Sequence, residues 1–141
     1  MYKKILLPID FDALEMGERS ITAAKALTKE NQQTKLRLIN VQAIMPASVL
    51  GYLPPNFDEA LQNDCEKKLS EISKGTTFPA EALSTSVRYG AIYREVLAEA
   101  EDWGADLIIV GSHKPGVWTY LLGSNAAAIV RYAKCSVLVI R

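Results

Sequence analysis

The residues best suited to chemistry lie in one stretch near the end of the chain, from Gly111 to Asn125. Two glycine–serine pairs, Gly111-Ser112 and Gly123-Ser124, bracket this stretch, and the second pair opens a segment of helical period. A helix N-terminus presents unpaired backbone N–H groups, and glycine lets phosphate oxygens approach that backbone closely. The spacing therefore indicates phosphate binding, with the Ser124 hydroxyl as a further donor. The alternative is that Gly111 ends a strand and Ser124 caps a helix.

Two further residues of this stretch carry side chains that can take part in binding. Lys114 supplies a point charge on a long side chain, suited to a terminal phosphate. His113 is the only histidine of the chain, and no second ligand stands at metal-binding spacing from it, so we predict no metal site there. Acid–base catalysis by His113 stays open. The signatures of ordinary serine hydrolases, P-loop proteins and dinucleotide-binding proteins are missing from the sequence.

A second candidate cluster follows the first apolar run of the chain, where Asp10 and Asp12 flank Phe11. One of the two carboxylates can accept hydrogen bonds from ribose hydroxyls or help hold a metal ion on phosphates, while the other caps a helix. The alternative is that both acids simply begin a helix.

The elements that must position these residues are strands alternating with helices, which is the pattern of a parallel sheet covered by helices. Continuous apolar runs, rather than alternating ones, indicate strands buried on both faces. The predicted strands are Ile5–Ile9, Leu36–Val41, Leu83–Val87, Leu107–Val110 and Val137–Ile140.

Four helices are predicted between these strands from the spacing of apolar residues. The third is expected to end at Gly104, because glycine commonly stops a helix. Their expected inner faces are Ile21, Ala24, Leu27 and Thr28 within about Leu14–Thr28; Phe57, Leu61, Cys65, Leu69 and Ile72; Ile92, Val96, Ala100 and Trp103; and, from near Ser124, Ala127, Val130 and Ala133.

Right-handed crossovers can cover both faces of such a sheet only if the winding direction reverses once. Ligands bind outside the carboxyl ends of the two strands that flank this reversal. In the order 3-2-1-4-5 these are the first and fourth strands, which end at Pro8-Ile9-Asp10 and Val110-Gly111-Ser112. We therefore expect a single α/β domain over residues 1–141, with an open five-stranded parallel sheet of the Rossmann-like type and helices on both faces.

Charge and composition exclude several partners. The chain has 141 residues, with 16 Lys+Arg against 16 Asp+Glu and a formal net charge of zero, so it lacks the basic footprint of a nucleic-acid or anionic-membrane binder. No stretch approaches the ~20 apolar residues of a transmembrane helix. Cys65 and Cys135 match no metal or redox spacing and are expected to be buried thiols in a reducing compartment. We expect a cytoplasmic protein with neither nucleic-acid nor membrane partners.

The sequence resembles the universal stress proteins over essentially its whole length. The resemblance rests on the opening "ILLPID", on "VRYGAIYREVLAEAEDWGADLIIVGSH", and on "GSHKP" with "YLLGSNAAAIVRYAKCSVLVIR" at the end. ATP-binding members of that family carry the pattern G-x2-G-x9-G-[ST]. Gly111 matches its first glycine and Gly123-Ser124 its closing pair. Lys114 stands where the second glycine is expected, and the stretch after it is one residue shorter.

The resemblance implies ATP as the ligand, with Mg²⁺ held mainly by the phosphates. It implies Asp10 at the ribose, and backbone groups of Ile9 and Val41 at the adenine. It implies the phosphates near the glycine-rich stretch, to which we add Lys114 because of its charge. The full expected binding set is Pro8, Ile9, Asp10, Val41, Gly111, Ser112, His113, Lys114, Gly123, Ser124 and Asn125.

The last apolar run, Ser136 to Ile140, is an unguarded edge strand, and monomers usually protect such edges. Because similar proteins pair this strand across a two-fold axis, we expect a homodimer. The function expected is a stress-response module regulated by bound ATP, at most a slow ATPase, because no general base or arginine finger is evident. A dimerising scaffold without nucleotide is the alternative.

Two other features bear on function. A phosphoacceptor signalling domain is disfavoured, because the third strand ends in Val87-Arg88-Tyr89-Gly90 with no aspartate. The segment Gln42–Asn56 is the longest irregular stretch, and such long loops are often functional. It is either a connector, or a lid or flap that contacts a partner.

Overall fold

The computed structural model describes residues 2–28, 33–112 and 122–141. Its strands are β1 (Lys4–Pro8), β2 (Lys35–Gln42), β3 (Leu83–Tyr89), β4 (Leu107–Gly111) and β5 (Ser136–Ile140). They form one parallel sheet in the order β3-β2-β1-β4-β5. This confirms the predicted fold class and strand order, and every predicted strand boundary lies within two residues of the observed one.

The helices also follow the predicted segments. They are α1 (Leu14–Thr28), α2 (Ala47–Leu50), α3 (Phe57–Lys74), α4 (Ile92–Trp103) and α5 (Ser124–Tyr132), with a short 3₁₀ helix at Ala80–Ala82. Gly104 ends α4 as predicted, in the left-handed conformation (φ 77°, ψ 40°), and its N–H donates to the carbonyls of Ala100 and Glu101. Within the segment predicted to be irregular, α2 is a single exposed turn.

Three of the predicted inner helix faces are wrong in detail. In α4, Ile92 of the predicted inner face is 44% exposed. In α5 the buried residues are Ala126 and Ile129, whereas Val130 is 46% exposed. The run Ala-Ala-Ala-Ile-Val is apolar on every side, so periodicity could not choose its inner face. In α1, Leu27 is 47% exposed, because the helix contacts the sheet mainly through its first three turns.

Two apolar layers hold the sheet between the helices. On one face, strand residues such as Ile5 and Leu38 pack with α1 and α3; on the other, residues such as Leu6 and Ile108 pack with α4 and α5. Both sets are almost fully buried, which is why the strands read as continuous apolar runs. The winding reverses between β1 and β4, so the predicted switch point lies at the carboxyl ends of these two strands.

Within residues 2–28, 33–112 and 122–141, no helix is long and apolar enough to cross a bilayer.

Candidate functional site

A crevice of about 1140 Å³ opens at the switch point. β1 pairs with β2 along its whole length, but with β4 only at Ile5↔Leu107 and Leu6↔Ile108. Beyond these pairs β1 and β4 diverge, and the space between their carboxyl ends is not closed by backbone hydrogen bonds. Its volume is that of a small-molecule site.

The structure brings most of the expected binding residues together around this crevice. The lining residues from that set are Pro8, Ile9, Asp10, Val41, Gly111, Ser112 and Asn125. Gly123 and Ser124 do not line it, and they lie one and two residues before Asn125 at the start of α5. His113 and Lys114 lie outside the described residues.

Asp10 organises the turn between β1 and α1. Its carboxylate Oδ1 accepts the backbone N–H of Asp12 at 2.8 Å, and its carbonyl accepts the N–H of Ala13 at 3.0 Å. The side chain is exposed and lines the crevice. A carboxylate has about four acceptor sites, so Asp10 can hold this turn and still accept a hydroxyl from a ligand.

The backbone of Ile9 already has partners within the protein. Its N–H donates to Ile39 O at 2.8 Å, and its carbonyl accepts Nδ2 of the buried Asn40 at 2.9 Å. Gln42 Nε2 in turn donates to Asn40 Oδ1 at 2.7 Å. The N–H of Ile9 is therefore not available to an adenine ring. Asn40 and Gln42 were not among the predicted site residues, although two amides at the end of an apolar strand are a visible signal in the sequence.

The backbone groups of Val41, unlike the N–H of Ile9, face the crevice. In β2, Lys35 N–H and Ile39 O bond toward β1, whereas Gln42 O accepts Gly90 N–H on the β3 side. Backbone groups alternate in direction along a strand, so those of Val41 point toward the β1 side, beyond the end of that strand. They border the crevice and can receive a flat polar ring edge.

Gly111 is needed for packing against α1. A Cβ built on Gly111 would lie 2.2 Å from Cγ of Met16 and 3.0 Å from its Sδ. Met16 therefore occupies the space that a side chain at position 111 would need, and it lines the crevice beside Gly111. The sequence predicted that glycine here lets a phosphate approach the backbone closely. On the side where a Cβ would stand, it is α1 that approaches. Met16 was not among the predicted site residues, because nothing in its local sequence pattern marks it.

The start of α5 lies at the same end of the sheet, and Asn125 in its first turn lines the crevice. Gly123 is the N-cap residue, without a side-chain cap hydrogen bond, and its carbonyl accepts Ala127 N–H at 2.8 Å. Ser124 is the first helical residue rather than the cap, so the capping alternative for its hydroxyl is wrong. A helix N-terminus next to a crevice favours negative charge.

Neither cysteine of the chain lines the crevice. Burial raises the pKa of the Cys65 thiol, and it also raises the pKa of Cys135. Cys65 is buried as predicted, whereas Cys135 is only half-buried. Among the described residues, no group of three or more His, Cys, Asp or Glu is placed to hold a metal ion.

Comparison with known proteins assigns the family. The model of the universal stress protein family matches residues 1–141. This chain belongs to the universal stress protein family. It is 31% identical to universal stress protein G of Shigella flexneri over 147 residues, which cover all of both chains. It is 29% identical to universal stress protein YxiE of Bacillus subtilis over 153 residues, again covering all of both chains.

Solved structures share the fold. The hypothetical protein MJ0577 superposes with a TM-score of 0.78 at 28% identity, covering 99% of this chain and 96% of that one. UspA from Lactobacillus plantarum superposes with a TM-score of 0.73 at 23% identity, covering 99% and 98%. A universal stress protein solved in complex with cAMP superposes with a TM-score of 0.60 at 20% identity, covering 99% and 97%. The single α/β unit of this chain is therefore the fold of the family.

Proposed function

We propose that this universal stress protein binds an adenine nucleotide, ATP, in the crevice between β1 and β4, and that it acts as a nucleotide-dependent regulatory module of the stress response in the cytoplasm. The observation that carries the proposal is the set of groups around the crevice. Backbone groups of Val41 border one side, the Asp10 carboxylate stands in the middle, and Asn125 lies in the first turn of α5 on the far side.

These groups match the parts of a nucleotide in order. A base edge needs backbone donors and acceptors, a ribose needs a carboxylate that accepts hydroxyls, and phosphates favour a helix N-terminus. Mg²⁺ would be held mainly by the phosphates. The acids at the β1 turn, Asp10 and Asp12, are oxygen ligands of the kind that such an ion accepts.

A related structure supports an adenine ligand. The universal stress protein solved with cAMP shares the fold of this chain, and cAMP contains the same base and ribose as ATP. At 20% identity, the likeness between the two proteins is one of fold. The glycines at positions 111 and 123 and the serine at 124, which match the pattern of ATP-binding members, support the triphosphate.

Purified protein tests the proposal directly. The protein is denatured and the supernatant is analysed for adenine nucleotide, and nucleotide-free protein is then titrated with ATP and Mg²⁺ by calorimetry. We expect saturable binding of one ATP per chain, with GTP binding more weakly because the base edge differs. The absence of binding at millimolar ATP would overturn the proposal and leave the scaffold without nucleotide as the function.

We also propose that β5 pairs with β5 of a second copy. Ile140 O accepts Ser112 N–H at 2.7 Å on the β4 side. By strand alternation, the N–H of Val139 therefore points away from β4, toward the open edge. An unpaired edge of this kind is a template for a second strand.

Two variants of Val139 separate pairing from packing. Val139→Pro removes the outward N–H, and Val139→Ala loses similar packing but keeps that donor. We expect the proline variant to be monomeric by analytical ultracentrifugation at concentrations where the alanine variant is a dimer. A proline variant as dimeric as the alanine variant would exclude pairing through β5.

A further inference from the structure

Two side-chain amides of β2, those of Asn40 and Gln42, line the crevice on either side of Val41. Residues two apart on a strand point to the same face, so the two amides lie next to each other. Asn40 is buried, with 4% exposure, and Gln42 is half-buried. Neither residue belongs to the expected binding set, yet both lie where the base of the nucleotide is proposed to bind.

A chain of hydrogen bonds fixes the orientation of both amides. The carbonyl of Ile9 can only accept, so the atom of Asn40 that lies 2.9 Å from it is the donor Nδ2. Asn40 Oδ1 is therefore on the other side of this amide, and it accepts Gln42 Nε2 at 2.7 Å. If the Gln42 amide turned over, two oxygen atoms would meet instead of a donor and an acceptor.

The fixed amide of Gln42 has a definite pattern to offer a ligand. Its oxygen is an acceptor, and the second hydrogen on Nε2 is a donor. An acceptor beside a donor is the pattern by which glutamine pairs with the 6-amino group and N7 of adenine. The backbone of Val41, the preceding residue, borders the same crevice and can serve the other edge of that base.

A purine with an oxygen at position 6 fits this pattern poorly, because the oxygen of Gln42 would then face another acceptor. A freely rotating glutamine could turn over and donate to that oxygen. Here the turn would break the hydrogen bond to Asn40. A polar site that is left unpaired rejects the wrong ligand strongly. The amide pair therefore favours adenine by excluding its 6-oxo counterpart.

We propose that Gln42 selects the base of the bound nucleotide by pairing with the 6-amino group of adenine, and that Asn40 is the positioning residue that holds the Gln42 amide in the required orientation. This inference rests on the proposed function and adds to it the residue that decides which base is accepted.

Inosine triphosphate (ITP) tests the inference, because it has an oxygen in place of the 6-amino group and keeps the ribose and phosphates of ATP. Wild type and Gln42→Met are titrated with both nucleotides and Mg²⁺ by calorimetry. Methionine has a similar length but no amide. We expect wild type to prefer ATP over ITP by about 10-fold or more, and Gln42→Met to lose about 5-fold or more of this preference.

Gln62→Met is the matched control. Gln62 is also half-buried, and its amide donates to Glu66 at 2.7 Å and accepts from Tyr89 at 2.6 Å, but it does not line the crevice. We expect its preference for ATP over ITP to stay within about 2-fold of wild type. A variant that is partly unfolded binds both nucleotides less and keeps its preference, so the preference reports recognition of the base.

Asn40→Ala tests the positioning role separately. This variant keeps Gln42 but frees its amide to turn over and donate to a 6-oxo group. We therefore expect the preference for ATP over ITP to fall, although the glutamine is still present. An unchanged preference in Asn40→Ala would remove Asn40 from the positioning role.

Three results would overturn the selection by Gln42 while leaving ATP binding itself intact. They are a wild type that binds ITP as tightly as ATP, an unchanged preference in Gln42→Met, and an equal loss of preference in Gln62→Met. A wild-type protein that binds no ATP would overturn the proposed function, and this is seen before any variant is compared.

Discussion

Charged residues form two clusters in this protein that use their charges in opposite ways. Beneath α4, Glu99 receives Arg37 Nη1 at 2.7 Å and Arg88 Nε at 2.6 Å, and its side chain is only 8% exposed. In the crevice, the carboxylate of Asp10 accepts the backbone N–H of Asp12. The first cluster pairs charge with charge, whereas Asp10 pairs its charge with neutral backbone.

The cluster around Glu99 is filled by the protein itself. Arg88 also reaches Asp102 at 2.7 Å and Glu95 at 3.3 Å, and the guanidinium of Arg37 lies 4.4 Å from the ring centroid of Trp103. Every charge there has an opposite charge or an aromatic face as partner. Such a cluster ties α4 to β2 and β3 through its own side chains.

The difference bears on the proposed binding of a polyanion by a chain of zero net charge. Removing a member of the first cluster leaves a partly buried charge unpaired, which costs stability. Under the proposed function, neutralising Asp10 is expected to leave the fold intact and to weaken a contact to the ligand. The two regions therefore predict opposite readouts for similar substitutions.

The largest expected effect is that of Glu99→Gln, which leaves Arg37 and Arg88 without their shared carboxylate. We expect the free energy of unfolding, measured in urea, to fall by about 2–4 kcal/mol, somewhat under the full value for a buried pair because both guanidiniums are partly solvated. Glu101→Gln is the control, because its exposed ion pair with Lys134 should contribute under about 0.5 kcal/mol. Equal effects of the two variants would contradict a special role for Glu99.

Gly111→Ala tests packing at the wall of the crevice and is expected to have the next largest effect. The new methyl group meets Met16, so we expect unfolding free energy to fall by about 1–3 kcal/mol. Adding Met16→Ala vacates that space, and the double variant should be more stable than the sum of the single effects predicts. If the losses of unfolding free energy, measured in urea, are additive, Met16 is not what opposes the new methyl group.

Acid should weaken the Glu99 cluster in a smaller and graded way. Burial pushes the pKa of Glu99 upward, but hydrogen bonds from Arg88 and Arg37 outweigh it, so the pKa lies below its ordinary value of 4.5. A lowered folded-state pKa contributes stability that is fully present above the ordinary value and is lost as pH falls through the lower one. The free energy of unfolding of wild type, measured in urea between pH 6 and pH 3, should therefore fall more steeply with decreasing pH than that of Glu99→Gln. Parallel curves would mean that Glu99 is not the group responsible.

Asp10→Asn is expected to have the smallest effect on stability. The amide oxygen can still accept the N–H of Asp12, so unfolding free energy should change by under about 0.5 kcal/mol. ATP affinity should fall by about 5-fold, because the hydrogen bonds to the ribose lose their charge. A loss of stability comparable to that of Glu99→Gln would place Asp10 among the structural acids and end the contrast between the clusters.

The site residues at the ends of β1 and β4 could be predicted from the sequence, whereas those on α1 and α3 could not. The expected residues at the ends of β1 and β4 line one crevice, because strand order alone brings those ends together. Met16, Arg19 and Lys68 also line the crevice and were not predicted from the sequence. Each is a common helix residue, and its place in the crevice depends on how α1 and α3 are rotated against the sheet.

The sequence by itself determined the strands, the main helices, their order and the end of the sheet where a site forms. Those features depend on periodicities of two to four residues and on the handedness of crossovers, which are local or general rules. Only the tertiary structure decided which side of α5 is buried, that Met16 fills the space beside Gly111, and that Glu99 meets two arginines. Such contacts join residues up to 95 positions apart in the chain, as from Met16 to Gly111, and only the packing of helices on the sheet brings them together.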